Sequence, residues 1–178
     1  MSFLENETIR LRALEPEDLE VLYRWENDLS IWPSGNTLAP YSRFALRDYI
    51  EKTLTEDLYA MRQLRLMIVD KNGEKKMGTL DMFDFEPFHS RAGIGILVAP
   101  EYQSQGIGSQ ALELFIQYVF HFLKLKQLYC HIPEDNVISL ALFQKNGFEI
   151  SGKLHSWLNM AEGWKDVYIL QKILNKKI

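Results

Sequence analysis

The run Gln103-Ser104-Gln105-Gly106-Ile107-Gly108 joins an apolar strand pattern, Ile94–Val98, to a long amphipathic helix pattern, and Ala99-Pro100 closes the strand before it. Glycines let a backbone turn tightly and approach a ligand without a Cβ in the way. The first N–H groups of a helix have no partner inside it, and the helix dipole favours negative charge there. An anion fits such a place, and a diphosphate is the natural guest. Gly106-x-Gly108-x-x-Ala111 also matches a dinucleotide fingerprint, which wants its glycines directly after a strand. Here seven residues, 99–105, separate Val98 from Gly106, and only 70 residues follow Gly108. The dinucleotide reading is therefore set aside, and the loop reads as a pyrophosphate cradle.

The elements around this loop follow from periodicity and punctuation. Thr8–Ala13 alternates as a strand, and Glu15-Pro16-Glu17-Asp18 opens a helix through Glu26. Trp32-Pro33-Ser34-Gly35-Asn36 breaks the chain. Ser42 caps a second helix to about Thr55, with Phe44, Leu46, Tyr49 and Ile50 on its buried side. Arg65–Asp70 and Lys76–Phe85 form a hairpin around Asn72-Gly73. Ala92–Val98 is a strand, and Gly108 to Phe122 is the strongest helix, with Ala111, Phe115, Tyr118 and Phe122 on one stripe. Gln127–Ile132 is a strand, Val137–Lys145 a short helix stopped by Asn146-Gly147, and Phe148–Leu154 with Trp164–Ile173 a closing pair. The order β-α-α-β-β-β-α-β-α-β-β predicts an α/β or α+β chain, a mixed sheet with helices packed on it.

The 178 residues suit one domain, 1–178, with a real core. The hydrophobic share of 47% and charged share of 25% are globular values, and the net charge of −4 argues against a nucleic-acid binder. No apolar run is long enough to span a membrane, and the acidic N-terminus is no secretion signal. A lone cysteine, Cys130, allows no internal disulfide. These readings together point to the cytoplasm.

Strand, Pro, x, Tyr102, Gln103-x-x-Gly106-x-Gly108 and helix, taken together, resemble the Gcn5-related N-acetyltransferases. Asn136-x-x-Ser139-x-x-Leu142-Phe143-x-Lys145-x-Gly147-Phe148 is similar to that family's second signature, and Ile9–Asp18 to the start of its ribosomal-protein and polyamine acetyltransferase branch. The C-terminal half looks most like bacterial spermidine/spermine N-acetyltransferases. The resemblance implies a central mixed, mostly antiparallel sheet flanked by helices, acetyl-CoA as cosubstrate, no metal, and a primary amine as acceptor, on a polyamine, another small molecule or a peptide. A protein N-terminal acetyltransferase and a noncatalytic CoA-binding module are its alternatives. It implies that Leu97 and Val98 pair their backbone with the pantetheine arm. The N–H groups of Gln103, Ser104, Gln105, Gly106, Ile107 and Gly108, with Ser109, would hold the pyrophosphate. Asn136 would hydrogen-bond the pantetheine, and Phe143 would pack beside the cofactor. Related enzymes are often dimers or larger, which implies a homo-oligomer.

Amine acylation needs a neutral amine. Deprotonating an alkylammonium of pKa about 10.4 at pH 7 costs about 4.6 kcal/mol, against about 1.4 kcal/mol for an α-amino group of pKa about 8. A base therefore matters most for a polyamine. Two residues the family often uses are missing: Phe143 stands where many members have a tyrosine, and Gly93 where many of this branch have a glutamate. Asp81 is the expected base or amine-binding carboxylate. Asp84, three residues on, would face the other side of a regular strand. Tyr129 shares a strand face with His131 and is the second catalytic candidate. Asp84, Glu26 at a helix end and His89 in a loop are the candidates for substrate binding. Cys130, mid-strand, reads as a buried inert thiol, and the four histidines show no metal-ligand spacing.

Overall fold

A computed structural model describes residues 3–32 and 37–174; of the expected chain break, Pro33–Asn36 lies outside the described residues. β1 (Ile9–Ala13) buries Ile9 and Leu11 and leaves its arginines half out, as alternation demands. Glu15 and Asp18 then cap each other across a single 3-10 turn, and α1 (Leu19–Glu26) follows. Asp18 does more than complement a helix end. It is fully buried, takes both Arg12 guanidinium nitrogens at 2.7 and 3.0 Å, and lies 2.9 Å from Lys76 Nζ.

α2 (Arg43–Thr55) begins where Ser42 Oγ accepts from the Ala45 N–H at 3.0 Å, as expected. Leu46 and Ile50 are its buried residues, whereas Phe44 is 79% exposed. Two positions before Leu46 is about half a turn round the helix, so Phe44 belongs to the outer side. α3 (Leu58–Met61) is one turn capped by Asp57, too short for the sequence pattern to show.

The hairpin of β2 (Leu64–Asp70) and β3 (Lys76–Glu86) turns at Gly73, φ +80°, with Asp70 Oδ1 accepting from the Glu74 and Lys75 N–H groups. β4 (Arg91–Val98) leads into α4 (Ile107–Gln117), which runs on through a π turn, Tyr118–Phe122. That turn takes an extra residue and rotates the stripe. Val119 and Phe120 are therefore buried, and Phe122, expected inside, is 62% exposed. β5 (Gln127–Pro133), α5 (Val137–Lys145), β6 (Glu149–Met160) and β7 (Gly163–Ile173) complete the chain. The β6–β7 turn is tighter than the expected Asn159–Gly163 loop.

The seven strands form one sheet in the order β1-β2-β3-β4-β5-β7-β6, and only β4 and β5 run parallel. The mixed, mostly antiparallel sheet expected from the sequence is what forms. Its two faces carry different helices. Ile68, Leu80, Ile94, Leu128 and Ile132 meet Ala111, Leu112 and Phe115 of α4. On the other face Met67 and Val69 meet Val21, Leu22 and Trp25 of α1 and Leu46 and Ile50 of α2. Residues between the first set, including Arg65, Asp81, Phe83, Gly93, Gly95 and Tyr129, belong to this second face.

Candidate active site

β4 and β5 pair only from Arg91↔Gln127 to Gly93↔Tyr129. Beyond that row Ile94–Val98 and Cys130–Pro133 diverge, while β3 stays on β4 to Val98. The split leaves one edge of β4 without a strand partner. It opens at the carboxyl ends of two parallel strands, where open α/β sheets take ligands. Ala99 N–H donates to Met77 O at 2.9 Å. By the alternation of an antiparallel ladder, Leu97 therefore turns its backbone to β3, and Ile96 and Val98 turn theirs to the split. Of the two residues expected to pair with a pantetheine arm, Val98 faces the open edge and Leu97 does not. Ile96, which the sequence reading missed, does.

At the mouth of the split lies the glycine loop. Gly106 has φ +78° and is the helix N-cap without a side chain to offer; Ser104 has φ +59°. Gln110 N–H donates to Gly106 O, so the N–H groups of Ile107, Gly108 and Ser109 come before the first intrahelical bond. This uncapped helix start fits a diphosphate. The side chains nearby are partly committed. Gln103 Nε2 donates to Val98 O at 3.0 Å and Gln105 Nε2 to Glu101 O at 2.8 Å, so each glutamine braces the loop. Ser109 Oγ accepts from Asn146 Nδ2 at 3.2 Å. A Cβ on Gly108 would meet Leu142 Cδ2 at 3.2 Å and Val98 Cγ2 at 3.5 Å, so this glycine lets α4 pack closely on β4 and α5.

Asn136 caps α5, its Oδ1 accepting from the Ser139 N–H at 3.1 Å. Phe143 is 3% exposed and meets Phe148 edge-on, centroids 5.0 Å apart. Its ring is a core element here and offers no open face to a cofactor.

On the face of α1 and α2, two carboxylates named separately from the sequence meet through one arginine. Arg65 donates through Nε to Asp81 and through Nη1 to Glu26, and all three side chains are 20–27% exposed. Asp81, expected as the base or amine-binding carboxylate, is thus ion-paired. Glu26, expected as a substrate-binding residue at a helix end, is held by the same arginine. Burial pushes the Asp81 carboxyl up from its usual range, Arg65 works against that, and Glu26 adds repulsion. Burial opposes the Arg65 charge, but Asp81 and Glu26 outweigh it and hold the guanidinium protonated. Tyr49 of α2 lies below Arg65, 5.7 Å from guanidinium carbon to ring centroid, and burial pushes its phenol up to about 12. The cluster carries two carboxylates to one cation. Asp81 stands directly across from Gly95, which puts no side chain between it and the split.

Asp84 does not face away, as a regular strand would have it. β3 slips register between Phe83 and Glu86, and Asp84 takes φ +47°. The bulge turns its carboxylate to Tyr129, whose hydroxyl donates to Oδ2 at 3.0 Å. Burial first, then this hydrogen bond, push the Tyr129 phenol up to about 12. Tyr129 and His131 do share a face, with centroids 5.8 Å apart. His89 sits exposed in the β3–β4 turn, edge-on to Phe88 at 4.8 Å and outside this group. Cys130 is buried, and burial pushes its thiol up to about 12. Among the described residues no three His, Cys, Asp or Glu side chains gather as a metal site. Nor is any helix there long and apolar enough to cross a membrane.

A strand pair that splits at its carboxyl ends, with an uncapped helix start at the mouth and carboxylates on one face, defines an acyl-carrier cleft on a mixed sheet. Residues 8–149 match the acetyltransferase (GNAT) domain family, and the chain belongs to it. It is similar to spermidine N(1)-acetyltransferase of Escherichia coli (strain K12), at 30% identity over 151 residues, 83% of this chain and 76% of that protein. The same enzyme of Vibrio cholerae is 27% identical over 178 residues, 96% of this chain and 98% of that protein. Among solved structures, the Vibrio cholerae spermidine N-acetyltransferase in complex with CoA and spermine shares the fold, with TM-score 0.84 and 24% identity. That match covers 94% of this chain and 96% of the other.

Proposed function

We propose that the chain transfers the acetyl group of acetyl-CoA directly to a primary amine of a polyamine, as a single domain over 1–178. The observation that carries this is the open β4 edge, with the uncapped start of α4 at its mouth and the Glu26–Arg65–Asp81 cluster beside it. Bound acetyl-CoA supplies the activated acyl group. The N–H groups of Ile107, Gly108 and Ser109 hold its diphosphate, with Gln103, Ser104, Gln105 and Gly106 shaping the loop. Val98 and Ile96 offer backbone to the pantetheine arm, and Asn136 orders the start of α5 beside it. Asp81, looking across Gly95, draws the ammonium in. It accepts the proton that the amine must lose, directly or through water. Arg65 keeps Asp81 in place and limits its basicity. Tyr129 stays protonated well above neutral pH; its one O–H is given to Asp84, and it serves the leaving thiolate only when that hydrogen bond is exchanged.

The net charge of −4 suits a cationic acceptor. The polyamine acceptors named for the bacterial relatives favour the same class. We place the enzyme in the cytoplasm and as a homo-oligomer. The latter is supported by exposed Trp157 and Trp164 on β6–β7, and sedimentation showing only monomer would refute it. The functional test is acetyl-CoA turnover against polyamines, aminoglycosides and peptide N-termini. Polyamine turnover is expected. Activity on peptides alone would replace this reading with N-terminal acetylation, and tight CoA binding without turnover on any amine would replace it with a noncatalytic module.

A further inference from the structure

We propose that Phe83 and Asp84 read the distal part of the acceptor, selecting an amine that carries a second ammonium a short aliphatic chain away from the reacting one. This rests on the polyamine reading above. Three observations carry it.

The first is an exchange of side chains between strands. A Cβ on Gly93 would lie 2.2, 2.6 and 2.7 Å from three carbons of the Phe83 ring, and one on Gly95 would lie 3.8 Å from it. Phe83 thus fills the space that a side chain at 93 would take. Tyr129 meets it edge-on, centroids 6.3 Å apart. The floor where β4 and β5 part is therefore aromatic. Such a floor suits methylenes, and it attracts a cation over a ring face.

The second is the bulge. It brings Asp84 onto the side of the Tyr129 hydroxyl, which holds Oδ2 and leaves Oδ1 free of partners among the described residues. The carboxylate is exposed and fixed beside the aromatic floor.

The third is a cleft of about 580 Å³ that Phe83 and Asp84 line with Met61, Arg62, Gln63, Glu86 and Arg91. Arg62 is neutralised by Glu86 at 2.7 Å. Arg91 makes no ion pair among the described residues, so a distal anion would choose it over Asp84. The excess carboxylate of the Glu26–Arg65–Asp81 cluster on the same face favours the cation. Asp81 and Asp84 are three residues apart along β3, about 10 Å, which two ammonium groups each within hydrogen-bond reach of a carboxylate shorten to the length of a small diamine.

The experiment measures kcat/KM on the full chain for spermidine, 1,4-diaminobutane, n-butylamine and 4-aminobutyrate, with circular dichroism as the folding control. The diamine and spermidine are expected to exceed butylamine. Asp84→Asn is expected to lower the diamine-to-butylamine ratio roughly fivefold, through KM, the scale of a solvent-exposed ion pair. Asparagine tolerates a left-handed φ, so this variant keeps the bulge. Phe83→Ala, which removes only the floor, is expected to raise KM for the diamine and for butylamine alike. A diamine ratio unmoved by Asp84→Asn, or 4-aminobutyrate outperforming the diamine, overturns the proposal while polyamine turnover itself stands. No turnover on any amine overturns the polyamine reading and this proposal together.

Discussion

Replacing Gly78 by alanine tests whether β3 backbone sets the position of the open β4 edge. Gly78 pairs with Val98. A Cβ at 78 would stand 2.0 Å from Leu97 O, 3.0 Å from Leu97 C and 3.1 Å from Val98 Cα. Ordinary contact begins near 3.4 Å, so the strands must separate locally by about 1.4 Å (3.4 − 2.0). The obstacle is main chain, and no rotamer change relieves it. A shift of that size loses the Ala99 N–H to Met77 O bond, now 2.9 Å, and about one neighbour in the ladder. Two bonds at about 0.5–1.5 kcal/mol each give a loss of about 1–3 kcal/mol. The lower unfolded-state entropy of alanine returns about 0.5–1 kcal/mol. A net loss of about 1 kcal/mol, within a range of about 0–2.5 kcal/mol, is expected in urea unfolding. The same shift moves Ile96 and Val98, so calorimetric titration should show CoA binding weakened tenfold or more. Unchanged stability and affinity would refute the close approach. Lower stability with unchanged CoA affinity would show that the donor does not use this edge.

Asp81→Asn should lower kcat/KM for a polyamine tenfold or more at neutral pH and remove the acid limb of its pH profile; an unchanged limb assigns that titration to another group. Asp18 gives a pH-dependent stability. Burial opposes its charge, but hydrogen bonds from Arg12, Lys76 and the Glu15 N–H outweigh it and hold the carboxyl below the usual range. A depressed carboxyl stabilises the fold above its unfolded pKa near 3.8 and loses that contribution as pH falls through the folded value. Asp18→Asn should therefore cost about 3 kcal/mol at pH 7 in urea unfolding, with the deficit shrinking below pH 4. A deficit that does not depend on pH would refute the charge pairing. Cys130 should resist alkylation in the native protein at pH 8 and react only on unfolding, and labelling at a free thiol's rate would contradict its burial.

What the sequence makes legible here is local. Ser42 and Asn146-Gly147 mark helix ends because capping is decided within a few residues of the chain, and the helix expected from Gly108 begins one residue earlier, at Ile107. The π turn at Tyr118–Phe122 and the bulge at Asp84 were not legible, because each depends on what the element packs or pairs against. Asp84 was placed on the far side of β3 by a period of two, which a bulge cancels. The signal that could have exposed this lies on β4. Glycines at 93 and 95 inside a strand mark a close approach by something else, and Phe83 is what approaches.

The meeting of Arg65 with Asp81 shows how one residue of register decides the chemistry. Counted back from the Asn72-Gly73 turn, Val69 pairs with Lys76, and continuing that count would set Arg65 opposite Leu80. It would also set Leu66, which faces α4, opposite Thr79, which faces the other way. A slip of one residue exchanges the faces of a strand, so the apolar pattern forbids that register. The chain answers with a bulge between Ile68 and Val69, after which Leu66 pairs with Leu80 and Arg65 with Asp81. Core burial at Leu66 and Leu80 thus fixes the ion pair at the site. Anything that removed the bulge would be expected to release Asp81 from Arg65 while leaving both residues in the chain.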